Sequence, residues 1–510
     1  MGKYDWTFSA TQPKQDAYEP IIDKLNPCSS EEFNKLSEEQ RNKLVKAMVE
    51  EVRKINVFPI YYYNKEGIKK EIQAAMDKTV CFTGNVLDIS FSQGLTLLDF
   101  LFPNLHHVQA GETKNDTLYT RFFDDTVLEI CLETALKTRK IINMRTTFFA
   151  TSRFLWRSAT NFSPMRAKAI YERFCPKGGV IYDYSAGFGG RMLGALSSSY
   201  DFTYIATDPN TETYKNLQQL GEYIEEVSGR TNSYILYNKC SEDIKLESES
   251  IDFAFSCPPF YTLEKYTDEE TQSINKFPKY EDWLENYVRP TLKSCIAALK
   301  PEGLYGVNIV NYWMGGKKHF VANDWVKIAQ EEGLFLQGIF PICSKARKKL
   351  DEDQDQIYIF SKSKDVTIAD YTEADTLAYW EEKLSNYEQK KKNKNPYIVC
   401  FDIFGVHKQI YDSYKDVNNF TEEEIKNAIK SKKPCKNCYF KTYKRDAEIP
   451  AEIEVKKPIC KIDGQYFHTF AEAGRYFCCV FRCQQHGKWS VGQGRAAVRW
   501  NSFLYSECRR

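Results

Sequence analysis

The chain lacks long apolar runs. No stretch of its 510 residues approaches the ~18–20 apolar residues of a membrane span. The opening Met1-Gly-Lys-Tyr-Asp-Trp6 carries no apolar core of signal-peptide length. No membrane partner is expected, and the 16 Cys are expected to be reduced thiols of a cytoplasmic protein. Net charge is also missing: 70 Lys and Arg against 69 Asp and Glu leave +1. A dinucleotide fingerprint is absent, because the glycine-rich loop that follows a strand pattern runs Gly187-x-Gly189-Gly190 and not G-x-G-x-x-G. Cys435-Lys-Asn-Cys438 has no second C-x-x-C beside it. A tetrahedral zinc site is therefore not specified by spacing, and no metal is expected.

What is present concentrates between Val180 and Phe260. Three apolar, β-branched or aromatic runs each stop in a turn signal, as buried parallel strands followed by ligand loops do. The first ends in Asp183 and enters Ser185-Ala-Gly-Phe-Gly-Gly190. Small residues there let the backbone turn sharply and approach a ligand. Arg191-Met-Leu-Gly-Ala-Leu196 then starts a helix whose free N–H groups face the loop. The second run, Phe202–Thr207, ends in Asp208, at the distance of about 20 residues where an acidic side chain meets ribose hydroxyls. The third ends in Cys257-Pro258-Pro259-Phe260. Two prolines fix φ twice and remove two donors, so that loop is stiff. The aromatic behind it offers a face for a planar base.

This ordered set resembles the S-adenosylmethionine-dependent DNA amino-methyltransferases. Asp183, Ser185, Ala186, Gly187 and Gly189 resemble the first motif of that family, which cradles the methionine part of the cofactor. Asp208 matches its ribose contact. Ser241-Glu242-Asp243 resembles its adenine contact. Asn161-Phe-Ser-Pro164 resembles the segment that caps the cofactor, and Cys257-Pro258-Pro259-Phe260 the catalytic loop. The likeness covers about residues 150–362. It implies a doubly wound, Rossmann-like α/β sheet, S-adenosylmethionine as cofactor, and methylation of adenine N6 or cytosine N4 on a flipped-out base. Cys257 departs from the family's Asp, Asn or Ser, which accepts a hydrogen bond from the target amine; a thiol is a weak acceptor. A backbone carbonyl or Ser256 could take that role. Cys257 could instead be the nucleophile of a C5-pyrimidine methyltransferase, or simply a buried thiol. An RNA methyltransferase and a non-catalytic DNA-binding protein also stay open.

Charge is unevenly spread. From Lys390 to Arg510 there are 24 Lys and Arg against 13 Asp and Glu, an excess of 11, so the remainder carries −10. A basic end on a balanced chain is a footprint for a polyanion. The expected division is an α-rich N-terminal extension over 1–150 with no nameable chemistry, a methyltransferase domain over 151–365, a charged helix and linker over 366–396, and a small α+β region over 397–510. Two units in the last part resemble the DNA-binding repeats appended to homing endonucleases, which implies that Thr469 and Arg475 face double-stranded DNA. In each, a short strand and an Asp–Gly turn are expected to lead into a Ser- or Thr-started helix. Lys345, Arg347 and Lys348 form a basic loop that either holds DNA backbone or is a solvated turn. Helices are predicted from Ser37 to about Lys54, over Thr126–Arg139 and over Trp283–Leu299, the first with a Ser37/Gln40 capping box.

Overall fold

A computed structural model gives the protein as two compact units, residues 1–380 and 381–510. It describes residues 8–82, 87, 91–111, 113, 116–342, 355–366 and 368 of the first unit. In the second it describes 397–402, 406–411, 414–436, 438–443, 450–454, 460–462 and 465–467. Lys345, Arg347, Lys348, Thr469 and Arg475 lie outside the described residues.

The N-terminal part of the first unit is mainly helical, and its longer helices are α1 (Glu38–Ile55), α2 (Lys65–Met76), α3 (Leu95–Leu101), α4 (Asp125–Thr138) and α5 (Met144–Leu155). The expected capping box is present: Ser37 Oγ accepts the Gln40 N–H, and the Gln40 side chain accepts the Ser37 N–H. Val45, Met48, Val52 and Ile55 form the buried stripe of α1, packed with α4 and α5 around Phe122 and Phe148. Part of residues 1–150 therefore has a core of its own, from Ala17 to Phe149, and part packs onto the sheet. Ile68, Ile72, Leu97 and Phe102 share one core with Ile181, Leu193 and Phe253 of the central sheet and its helices.

That sheet has seven strands: β1 (Gly179–Asp183), β2 (Phe202–Thr207), β3 (Tyr234–Tyr237), β4 (Ile251–Ser256), β5 (Leu299–Ile309), β6 (Phe335–Pro341) and β7 (Gln356–Ser361). Their order is β6-β7-β5-β4-β1-β2-β3. β3, β2, β1, β4 and β5 pair in parallel, and β7 runs against both β5 and β6. Helices α6 (Pro164–Phe174), α7 (Gly190–Leu196), α8 (Thr211–Ser228), α9 (Arg289–Ala298) and α10 (Val321–Glu331) cover the two faces. Along β4, Phe253 and Phe255 point into one core while Ile251 and Ala254 point into the other. Both faces are covered, which is why these strands read as continuous apolar runs. This is the expected doubly wound sheet. The chain reverses its winding between β1 and β4, and at such a switch point the loops at the carboxyl ends leave a crevice.

The helix expected over Trp283–Leu299 is interrupted. A π-turn at Leu284–Val288 precedes α9, because Pro290, near the start of α9, has no N–H to close an α-helical turn. Among the described residues no helix is long and apolar enough to cross a membrane.

In the second unit, β8 (Tyr397–Asp402), β9 (His407–Tyr411) and β10 (Cys438–Tyr443) form an antiparallel sheet in the order β9-β8-β10. Helix α11 (Glu422–Ser431) buries Ile425 and Ala428 against Ile398, Cys400 and Phe440. Strand β8 is followed by a Thr-started helix, as expected, with one further strand before it. The chain turns back into β9, and α11 starts only at Thr421, whose capping box with Glu424 fixes the position. Cys435 and Cys438 exchange backbone hydrogen bonds of 2.8 and 2.9 Å, and neither forms a disulfide among the described residues.

Candidate active site

The loops after β1, β2, β3 and β4 open on one cavity of about 380 Å³. Ser185 and Gly187 enter it from the first loop, Asp208 from the second and Glu242 from the third. Cys257, Pro258, Pro259 and Phe260 enter from the fourth, and Asn161 from the segment before α6. The residues singled out in the sequence thus meet in one place.

Five of them do not line the cavity. Asp183 is fully buried. Its Oδ2 accepts from Arg191 Nε at 2.7 Å and Tyr204 OH at 2.6 Å, and its Oδ1 accepts from Ser256 Oγ at 2.7 Å and the Ser185 N–H at 3.2 Å. A carboxylate has about four acceptor positions, and all are taken. Asp183 therefore ties α7, β2, β4 and the first loop together and has nothing left for a cofactor. Ala186 is also buried, with its N–H donated to Thr207 O at 3.0 Å. Gly189 faces inward: its φ is +75°, and a Cβ there would lie 2.7 Å from both Phe102 and Leu220. Pro164 is buried at the first position of α6. Asp243 is 60% exposed and paired with Lys276 Nζ at 2.8 Å.

Asp208 contrasts with Asp183. Its Oδ2 accepts the Gly187 N–H at 2.8 Å and its Oδ1 accepts the Asn210 N–H at 3.0 Å. Gly187 turns that N–H inward at a φ of +58°, which an L side chain rarely adopts. About two acceptor positions remain open toward the cavity. Burial pushes the Asp208 carboxyl up to about 7; the two N–H bonds and Arg191 work against that push, and Asp183 adds to it. At the same end, Glu242 accepts from Lys276 Nζ at 2.9 Å, and burial raises its pKa too.

At the proline loop, burial holds the Cys257 thiol well above its ordinary value although Arg191 pulls the other way. That keeps the thiol protonated, the opposite of what a nucleophile requires. Ser256 is fully buried, and its hydroxyl is committed to Asp183, so it has no freedom to serve a substrate. Phe260 is half-buried, with its side chain at the cavity wall. Tyr261, directly behind, has a φ of +54°. It is held there by its hydroxyl on Pro278 O at 2.6 Å and by its ring against Trp283; a strained residue of this kind persists only where its surroundings over-determine it.

Further side chains in the cavity wall escaped the sequence reading, Glu264 and Gln272 among them. Glu264 lies in a two-residue strand whose partner is Gln109–Ala110, from the N-terminal region. It accepts a hydrogen bond from Tyr266 OH, and burial raises its pKa. Neither Glu264 nor Gln272 belongs to a motif. Glu264 stands in the Tyr261–Tyr266 stretch beside the prolines, and only its distant strand partner turns it toward the cavity. The N-terminal region also supports the site elsewhere. Phe102 packs behind Gly189, and Asn104 Nδ2 donates to Thr213 Oγ1 at 2.8 Å in the first turn of α8.

No family model and no curated protein matches the chain. Several solved structures are similar to part of the chain. A TehB-like SAM-dependent methyltransferase from Corynebacterium glutamicum is 14% identical, with 43% of this chain and 96% of that one covered and a TM-score of 0.27. The 1,6-didemethyltoxoflavin-N1-methyltransferase of Burkholderia thailandensis is 12% identical over 42% of this chain and 85% of that one, at 0.28. TrmN from Thermus thermophilus is 14% identical over 39% and 49%, at 0.28. Likenesses at this level assign neither substrate nor cofactor to the chain.

Proposed function

We propose that the protein is a methyltransferase that uses S-adenosylmethionine to methylate the exocyclic amino group of a DNA base, adenine N6 or cytosine N4. The observation that carries this is the meeting of Asp208, Glu242 and the Cys257–Phe260 loop on one cavity, whose volume falls in the range of about 300–1,000 Å³ found for small-molecule sites. The groups present suit the cofactor. Asp208 has acceptor positions left for ribose hydroxyls, Glu242 is an acceptor for an amino group, and Ser185 and Gly187 of the glycine loop line the same cavity. When bound, S-adenosylmethionine supplies an electrophilic methyl group on a sulfonium centre.

The chain's own contribution is then placement. Pro258 and Pro259 hold the loop rigid, and Phe260 offers a face to an extruded base. In-line alignment of the amine supplies most of the rate effect. The amine gains a carbon and must lose a proton. Cys257 is a poor acceptor and Ser256 is committed, so we assign the proton to the Glu264 carboxylate, whose pKa burial raises in the direction that makes a carboxylate a stronger base. Duplex DNA is the proposed partner, held by the basic 390–510 end, whose excess of 11 positive charges supplies phosphate contacts.

The experiment is mass analysis of nucleosides from DNA and from RNA incubated with the protein and S-adenosylmethionine. N6-methyladenosine or N4-methylcytidine in the deoxy series is expected. Methylation of RNA alone would assign the RNA reading, C5-methylcytosine would restore Cys257 as a nucleophile, and no product on either polymer would sink the proposal.

A further inference from the structure

The segment 266–273 crosses from the proline loop to the nucleoside end of the cavity. Glu269 holds it to the start of α8, accepting the Thr211 N–H at 3.3 Å. The Thr271 carbonyl accepts from Cys240 Sγ at 3.5 Å, and Ser273 Oγ accepts from Trp283 Nε1 at 3.1 Å. Gln272, between these two anchors, is only 5% exposed and lines the cavity.

The orientation of its amide is set by its surroundings. Gln272 Oε1 accepts the backbone N–H groups of Tyr266 at 3.0 Å and Thr267 at 2.7 Å. Exchanging the two ends of the amide would turn its NH₂ onto those two donors, so the oxygen must stay where it is. The other end, Nε2, is buried with no hydrogen-bond partner. Buried polar groups are nearly always paired, and one left over in a cavity wall needs a reason. The two carboxylates at this end of the cavity, Asp208 and Glu242, are acceptors when ionised, and the nearby cations Arg191 and Lys276 are held by Asp183 and by Glu242 and Asp243. A nucleoside offers donors to such carboxylates through its hydroxyls and amino group, but it also offers acceptors, the ring nitrogens, which they cannot serve.

We propose that Gln272 Nε2 is the donor for an adenine ring nitrogen of the bound cofactor, so that Gln272 reads the base while Asp208 and Glu242 take the hydroxyls and the amino group. This rests on the cofactor reading above. It explains why the amide is fixed by two bonds to its oxygen and left without a partner at its nitrogen.

The test is calorimetric titration of the full chain with S-adenosylhomocysteine, adenosine, and 1-, 3- and 7-deazaadenosine, for wild type and Gln272→Met. Methionine keeps the length of the side chain and removes the donor. S-adenosylhomocysteine and adenosine are expected to bind the variant about tenfold more weakly, the net worth of one hydrogen bond. One deaza analogue should lose the same factor on wild type and none on the variant, closing the cycle on one ring atom. Unchanged affinity in Gln272→Met, or no deaza analogue that closes the cycle, would overturn the assignment while leaving the cofactor reading standing. Wild type that does not bind S-adenosylhomocysteine would overturn both. Gln272→Glu, which keeps an oxygen for the Tyr266 and Thr267 N–H groups, separates a structural role. It should still weaken adenosine binding, whereas a purely structural Gln272 predicts affinity restored to the wild-type value.

Discussion

Asp183 and Asp208 end neighbouring parallel strands, and in the sequence they look alike: each closes an apolar run and opens a turn. The structure makes them opposites. Asp183 is sealed behind the loop with four donors on its carboxylate. Asp208 carries two and faces the cavity. The first holds the loop together and the second is left free to hold a ligand. A strand-terminal carboxylate is thus not a binding residue by position; the number of donors already on it decides.

The largest expected effect breaks this contrast on the structural side. Asp183→Ala removes the partner of Arg191, which is itself buried, and an uncompensated buried charge costs about 3–5 kcal/mol. The variant should unfold at markedly lower denaturant than wild type. Asp208→Ala, which removes a carboxylate that the fold keeps at a raised pKa, should leave the unliganded midpoint in place or higher. Equal destabilisation by the two substitutions would dissolve the distinction. Next in size is Glu264→Gln. If Glu264 takes the amine's proton, turnover should drop by about a hundredfold, the lower range for a positioned acid or base, with cofactor affinity unchanged. A loss of cofactor affinity with turnover intact would move Glu264 from the chemistry to the nucleoside.

Asp208→Asn comes third. Losing a charged acceptor for hydroxyls costs about 1.5–3 kcal/mol, so S-adenosylhomocysteine should bind about 10- to 150-fold more weakly by calorimetry, with no change in the unfolding midpoint of the size seen for Asp183. Phe260→Ala belongs just below it, with about 1–3 kcal/mol of stacking lost. That loss should fall on the nucleic acid and not on the cofactor, and it is read by titrating both. If the variant methylates DNA as well as wild type does, Phe260 is not the stacking face.

Why some of this was legible and some not is a matter of distance along the chain. The three strand–turn boundaries and the double proline are local, and they were enough to single out Asp208, Cys257 and Phe260, which line one cavity; Glu242 came only from the family resemblance. The cap at Ser37 is local too. The interruption at Leu284–Val288 had a visible cause in Pro290, which a helical pattern alone overrode. The difference between Asp183 and Asp208 is not local: the donors on Asp183 come from Arg191, Tyr204 and Ser256, on three separate elements. The role of residues 1–150 was invisible for the same reason. Phe102 behind Gly189 and Ala110 beside Glu264 are contacts that only the folded chain creates. Gln272 belongs to no pattern; its meaning lies in one nitrogen that lacks a partner.

The smallest expected effect sharpens the comparison through pH. The folded carboxyl of Asp208 titrates near 7 where an unperturbed one titrates near 3.8, chiefly because it is buried. Between those values the folded protein holds a proton that the unfolded chain has released. Stability of the unliganded protein from this group is therefore full below about 3.8 and declines as pH rises toward 7. Ligand binding should run the other way. The ionised carboxylate accepts two hydroxyls and the protonated form accepts poorly, so affinity for S-adenosylhomocysteine should rise as pH climbs through 7 and level off above, by about tenfold per unit below it. Glu242 and Glu264, whose values burial also raises, titrate in the same cavity, and Arg191 faces Asp208 with a fixed positive charge. The difference between wild type and Asp208→Asn isolates the one group: the variant should bind more weakly at high pH and lose the slope. A slope that survives in the variant would assign the pH dependence to Glu242 or Glu264 and leave Asp208 an ordinary ionised acceptor throughout.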